Sequence, residues 1–397
     1  LGVDVKLDPI KDEARFYHLT LYAFNRQDTP QRQAFFGQLY RHSLAYGAIE
    51  DGELSSGFLA IPFETQFHHD RIPMRGISYV SSYPEDSGHG NITKLMHRFF
   101  EDCQTDQVPL AYLAPFSFPF YRRFGFEQVF DRVHYHVQTR DVGKLPIPAF
   151  AKTADVSIKR HSFAQAGAEI AAFHEAHLFN RGGGTIRSAW WQGYLTLKHA
   201  TWEVATCLVA GKLEGYVIYS RDGNQQLSIQ EFFWASKTAY WQLLNFIARH
   251  KGTYAAFDYI SGDPRPRIDA FSDPHVKKSM TATNEAYMMA RIVDLPMFFK
   301  FYHVPTDRHI SLTVTVTDDF LPANNRTWRL TAQNGTIACQ PTDDAAELII
   351  DIRELTQILL GYRRAEDLMQ LDLSAKQANA LNQLTQPDLV PMLWDYF

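Results

Sequence analysis

The stretch Ser82-Tyr83-Pro84-Glu85-Asp86-Ser87-Gly88-His89-Gly90-Asn91-Ile92-Thr93-Lys94-Leu95-Met96 constrains the fold more than any other part of the chain. Before it runs RGISYVSS, rich in β-branched and aromatic residues and read as a strand. After it, Ile92, Leu95, Met96, Phe99, Phe100 and Cys103 recur at helical spacing, the apolar stripe of an amphipathic helix. The first four N–H groups of such a helix lack internal partners, and the helix dipole adds partial positive charge there. A strand leading straight into that terminus forms an anion site without a cationic side chain. Glycines at 88 and 90 let a ligand approach the backbone closely, and a pyrophosphate fits. A P-loop would need a lysine after the glycines, and a dinucleotide fingerprint would need a glycine where Thr93 stands. From spacing alone, a tight turn with a helix cap is the other reading.

The chain has 397 residues, too many for one hydrophobic core, so two or three domains are expected. Its net charge of −5 and the lack of any lysine- or arginine-rich run argue against coating nucleic acid. Three widely spaced cysteines show neither zinc-site nor disulfide spacing, and no apolar run has transmembrane length. The expectation is a cytoplasmic protein with no membrane or nucleic-acid partner.

Strands and helices interleave through the first block, residues 1–145, predicting mixed α/β or α+β architecture. Phe35 to Tyr46 reads as helix, PLAYLAPF and DRVHYHVQT as strands, and PFYRRFGF as a short helix and turn. The proline-bearing GKLPIPAFAKTAD marks a boundary near 146. A second block, 146–285, roughly repeats the helix–strands–helix order, and a third, 286–397, reads as antiparallel strands plus helices.

The order of strand, Pro-Glu-x-x-Gly-x-Gly, amphipathic helix, strand and Phe120-Tyr121-Arg122-Arg123-Phe124-Gly125-Phe126 resembles the GNAT acetyltransferase family. ARIVDLPMFF, DIRELTQILLGYRRAEDL and the terminal PMLWDYF extend the likeness over the whole chain to the enhanced intracellular survival (Eis) group. That resemblance implies two GNAT-type domains followed by a sterol-carrier-protein-like domain, and a homo-oligomer, a hexamer. The second block lacks a Pro-x-x-x-Gly-x-Gly junction and an FY-x-x-x-GF stretch, so it is expected to be without catalysis. It implies acetyl-CoA as co-substrate, no metal, and an aminoglycoside-like or lysine-like amine as acceptor. The coenzyme would lie along Val80, Ser81 and Ser82, with its pyrophosphate at Ser87, Gly88, His89, Gly90, Asn91, Ile92 and Thr93, and Phe116 and Ser117 flanking its arm. The family places arginine or glutamine at Ser87 and often a small residue at Ile92, so weaker coenzyme binding is expected here.

Acetyl transfer to an amine needs a base for the ammonium proton and an acid for the departing sulfur. By the same resemblance the acid is Tyr121 and the base is the carboxylate of Phe397. The alternatives are a core aromatic among Phe116, Phe118, Phe120, Phe124 and Phe126, and a terminus that only seals the third domain. His68-His69 and His134-x-His136 read as surface or sheet histidines rather than ligands. Gly182 to Gly184 and Trp190-Trp191 read as packing elements, with a binding loop the other reading. Near the expected acceptor pocket stand Phe24, Asn25, Arg26 and Asp28, with Arg26 where the family carries an acid, which weakens the case for polycationic aminoglycosides. A non-enzymatic ligand-binding protein on the same framework is the competing function.

Overall fold

One sheet of twelve strands is shared by two similar halves of the chain. A computed structural model describes residues 3–67, 70–153, 155–177, 181–221, 225–267, 280–386 and 388–397. The first half supplies β1 (Val3–Lys6), β2 (Leu44–Glu50), β3 (Glu53–Phe67), β4 (Asp70–Ser82), β5 (Leu110–Leu113) and β6 (Glu127–Gln138). Its helices are α1 (Glu13–Ala23), α2 (Pro30–Arg41), α3 (Asn91–Thr105) and α4 (Phe118–Arg122). The second half supplies β7 (Val156–Ser162), the short β8 (Arg181–Gly182), β9 (Glu203–Val209), β10 (Lys212–Ser220), β11 (Gln226–Trp234), β12 (Ala256–Ser261) and β13 (Met280–Ile292). With it come α5 (Ala149–Thr153), α6 (Phe163–Ala176), α7 (Ala189–Lys198) and α8 (Lys237–Ala248).

Across the sheet the order is β1-β2-β3-β4-β5-β13-β6-β12-β11-β10-β9-β7, which leaves β8 outside it. Only β4 with β5 and β11 with β12 run parallel; the other neighbours are antiparallel. The two halves therefore match strand for strand, and each lends its last strand to the other. β13 lies beside β5, and β6 lies beside β12. The division expected at 285/286 falls within β13, since that strand belongs to the second half by sequence and extends the first half's sheet.

The third region begins with α9 (Leu295–Phe301) and builds a four-stranded sheet from β14 (Ile310–Thr317), β15 (Arg326–Gln333), β16 (Thr336–Pro341) and β17 (Leu348–Asp351). Its sheet order is β16-β15-β14-β17, followed in the chain by α10 (Ile352–Leu359), α11 (Ala375–Asn382) and β18 (Val390–Pro391). Antiparallel strands were expected throughout, but β17 pairs parallel to β14, with Val314 opposite Leu348. The crossover from β16 to β17 returns the chain to the same end of the sheet, a feature no local periodicity records.

Local chemistry explains most element boundaries. Thr29 caps α2 by accepting the Arg32 amide, and Pro30 occupies the first turn. The helix expected to reach Tyr46 stops at Arg41, because Leu44–Glu50 pairs with both β1 and β3. In α3 the apolar stripe lies as expected, with Leu95, Met96, Phe99, Phe100 and Cys103 buried against the sheet. Each such side chain contributes roughly 1.5–3 kcal/mol by leaving water. A continuous cluster of buried side chains links the first half, the second half and the third region.

Candidate active site

The parallel pairing of β4 with β5 covers only Met74–Ile77 against Leu110–Leu113. Past Ile77, β4 continues to Ser82 paired with β3 alone, and the chain after β5 turns away, so the sheet opens into a wedge. Inside that wedge the β3–β4 register shifts, Gly57 facing Ser81 and Leu59 facing Ser78. The extra residue is a bulge at Tyr79, whose φ of +53° is unusual for a bulky side chain. A left-handed residue of this kind costs about 1–2 kcal/mol. Edge-on contacts with Phe24 and Phe36, at 5.6 and 5.5 Å between ring centroids, hold Tyr79 in place.

At the mouth of the wedge α3 begins. Its N-cap, Gly90, has φ +81°, and no side chain caps the helix. Gly88 has φ +87°, and a methyl group added at either glycine would meet open space. The left-handed torsions, not crowding, are therefore what call for glycine here. Asn91 is buried and ties the helix start to β2 and β3, donating to Glu50 Oε1 at 2.7 Å and Ser55 Oγ at 3.3 Å.

Two cavities adjoin at this point. A groove of about 530 Å³ is lined by Ala23, Phe24, Ser56, Asp86, Phe120 and Arg123 together with Val80, Ser81, Ser82, Ser87, Gly88, Gly90, Asn91, Ile92, Thr93 and Phe116. A second cavity of about 570 Å³ shares Phe24, Val80 and Phe116 with it, and both Tyr121 and Phe397 line this second cavity. Of the expected coenzyme residues, His89 and Ser117 are not brought to the groove. His89 converges with Glu50 and Asp86, their ligand atoms within 4.8 Å of one another, and Glu50 is already engaged by Asn91. Ser117 caps α4, accepting the Phe120 amide at 3.4 Å.

Tyr121 packs edge-on against Phe116 and Phe120, at 5.3 and 5.0 Å. Burial pushes its phenol above the ordinary tyrosine range, with Tyr396 adding to the effect, so it stays protonated. The glycine of its motif has a structural cause: Gly125, at φ +76°, makes room for the buried Arg291 guanidinium, which pairs with Asp318 at 2.6 Å.

Phe397 reaches the cavity along a buried tail. β18 pairs with β8, and Met392 donates to Gly182 O at 2.8 Å. Trp394 crosses Gly262 and stacks edge-on to Phe233 at 5.4 Å. The Phe397 ring lies on Gly76 of β4, where a side chain would strike it, beside Phe63 at 5.0 Å. Asp395 is the anchor. It accepts from Thr185, from Arg187 Nε at 3.1 Å and from Trp191 Nε1 at 2.9 Å, all buried. Arg187 also binds Glu231 at 3.0 Å, and Glu231 accepts from Tyr216 at 2.8 Å and meets His174 at 2.8 Å. Burial alone would raise Glu231, but Arg187, then His174 and Tyr216, bring it down to about 2. His174 is pushed down by burial and then by Arg187, so it is neutral.

The glycines 182–184 and Trp190-Trp191 thus pack the tail and α7 rather than form a separate loop site. His134 and His136 both face Asp258 across β6 and β12, at 3.4 and 2.8 Å. His68-His69 lies outside the described residues. The sequence reading missed Arg32, Tyr79, Tyr194, Lys198 and Tyr396 of the second cavity. Tyr194 and Lys198 come from α7 of the other half, and no local signal joins them to Tyr121.

Comparison with known proteins bears on the family and the fold. The family description "Acetyltransferase (GNAT) domain" matches residues 6–129 and again 183–292, and "Sterol carrier protein domain" matches 295–394. A crystal structure from Enterococcus faecalis V583, titled a conserved protein of unknown function and "Probable N-Acyltransferase", is 32% identical, with 100% of both chains covered and a TM-score of 0.88. An uncharacterized N-acetyltransferase of Streptomyces coelicolor is 23% identical over 317 residues, 75% of this chain and 74% of that one. Eis1 from Mycobacterium abscessus, at 18% identity and TM-score 0.79 with 100% of both chains covered, has the same fold.

Proposed function

Because this chain belongs to the GNAT N-acetyltransferases in their Eis-like form, two such domains and a sterol-carrier-like third, we propose that it moves an acetyl group from acetyl-CoA to a primary amine in the first half's wedge. The observation that carries this reading is the meeting of two cavities at Val80 and Phe116, one ending at an uncapped helix and the other holding Tyr121 and Phe397.

The residues present fit the coenzyme. Left-handed glycines with open space above them and unpaired first-turn amides suit a pyrophosphate. Arg123 lines the same groove and offers positive charge that Ser87 does not. Backbone groups of Val80, Ser81 and Ser82 in the open wedge suit an extended arm and polarise a carbonyl. Bound there, acetyl-CoA supplies an activated thioester carbonyl. The Phe397 carboxylate accepts the proton that the amine must shed, and Tyr121 Oη donates one to the departing sulfur. The family resemblance offers aminoglycoside-like or lysine-like amines as acceptors, and Arg26 in the second cavity counts against the polycationic ones. The assembly we propose is a homo-oligomer, a hexamer, from the family resemblance. Thiol release from acetyl-CoA with a panel of amines tests the reading; no release with any amine, and no coenzyme binding, would overturn it.

A further inference from the structure

Resting on that reading, the second cavity also speaks to what the acceptor carries besides its amine. Its walls are aromatic: Phe24, Phe35, Tyr79, Tyr194 and Tyr396. Its charged side chains are Arg26, Arg32 and Lys198, and among the described residues no Asp or Glu side chain lines it. The nearby acid, Asp28, is turned to Tyr17 and Gln33, at 2.7 and 2.9 Å, and is not part of the lining. Nor does Arg26, Arg32 or Lys198 form an ion pair with a described residue. Arg32 donates to Gln27 O at 3.1 Å and lies 5.6 Å from the Phe35 ring. Lys198 sits over the rings of Tyr194 and Tyr396, at 5.3 and 5.8 Å. The lysine is pushed down to about 8, by burial first and then by Arg32. Against these three like charges the cavity holds one negative group, the Phe397 carboxylate, and the excess of positive charge repels a polycation.

We propose that the acceptor is a primary amine bearing an anionic group, a carboxylate or a phosphate, which Arg26, Arg32 and Lys198 receive while the amine points to Tyr121 and Phe397. Arginine forks match either oxyanion, and lysine adds a point charge. In the transfer a C–N bond forms and the C–S bond breaks. Of the two protons the ammonium sheds, one ends on sulfur and the other leaves to solvent.

The test uses matched pairs with the full chain: ethanolamine against O-phosphoethanolamine, tyramine against tyrosine, and spermidine as the cationic arm. The expected result is a kcat/KM ~10–100-fold higher for the anionic member of at least one pair, the span of a charge-assisted hydrogen bond. The phosphate and carboxylate arms separate the two anion types. Arg26→Gln with Arg32→Gln should collapse the anionic-to-neutral ratio toward one, and Arg32→Lys should restore part of it. Calorimetric binding of O-phosphoethanolamine and ethanolamine reads the same selectivity without turnover. Equal or better use and binding of spermidine, ethanolamine and tyramine, or a ratio unmoved by the double variant, overturns this inference while leaving acetyl transfer intact. Absence of both coenzyme binding and turnover overturns the functional reading beneath it.

Discussion

The two halves of the large sheet share strand order and both open between a parallel pair, yet they use that opening differently. In the first half, β4 and β5 part around a groove of about 530 Å³, and α3 starts on a left-handed glycine without a side-chain cap. In the second, the space between β11 and β12 shrinks to about 80 Å³ among Phe232, Trp234, Tyr240, Tyr259 and Trp394. There α8 starts on Ser236, which accepts the Ala239 amide at 3.2 Å. One helix start has no side-chain cap, and the other has one of its amides taken by Ser236. The second wedge is spent on the tail: Trp394 occupies it, Arg187 and Glu231 fix Asp395, and Phe397 is delivered to the first wedge. The second copy of the frame thus holds the tail whose last residue lies in the first wedge.

The largest effect should come from disturbing that delivery. Adding two residues after Phe397 is expected to lower kcat by ~10²–10⁴-fold, the range for losing a positioned base, without unfolding the protein. Unchanged kcat would mean that the proton leaves by another route. Tyr121→Phe should cost ~10²–10⁴-fold in kcat with coenzyme affinity nearly kept, checked by steady-state kinetics and calorimetry.

Arg187→Met strands Asp395 and Glu231 in the interior and should cost ~3–5 kcal/mol in denaturant unfolding. A loss below ~1 kcal/mol, the value of an exposed pair, would contradict the anchor. Glu231 gives this anchor a pH signature. Its depressed carboxyl contributes stability that is full above its ordinary 4.5 and is lost as pH falls through about 2. His174 adds to acid lability from its ordinary 6.5 downward, because the unfolded imidazole takes a proton that the buried one resists.

The two helix starts should separate cleanly. Gly90→Ala forces a left-handed alanine, costing ~1–2 kcal/mol or shifting the amides, and KM for acetyl-CoA should rise. Ser236→Ala should remove ~1 kcal/mol of stability and leave that KM where it was. If both variants weaken coenzyme binding equally, the halves are not divided in the way described. The smallest effect is on acceptor affinity: KM for an anionic amine should rise severalfold as pH climbs through about 8, where Lys198 loses its proton. Arg26, Arg32, Tyr79, Tyr121, Tyr194, Tyr396, His199 and the Phe397 carboxylate also line that cavity.

Much of the first wedge could be read locally. The apolar stripe of α3, its Gly-x-Gly entrance and the short helix with Tyr121 all depend on neighbours within a few turns, and the sequence carries those preferences openly. What escaped notice depends on distant partners. Lys198 and Arg32 meet only because α2 packs on α7, with Gln31 donating to Leu197 O at 3.0 Å. The parallel return of β17, and Gly76 and Gly262 as bare floors beneath Phe397 and Trp394, likewise acquire meaning only when segments far apart in sequence touch. Ser117 shows the converse: a residue correctly placed by motif, whose hydroxyl the nearby α4 claims as its cap.

The exchanged strands set a schedule for synthesis. Leu113 of β5 waits for Met289 of β13, 176 positions later, so one edge of the first half's sheet emerges from the ribosome without its neighbour. At ~5–20 residues per second that interval lasts on the order of ten to thirty seconds. Throughout it a bare, apolar strand edge is open to adhesion by other nascent chains.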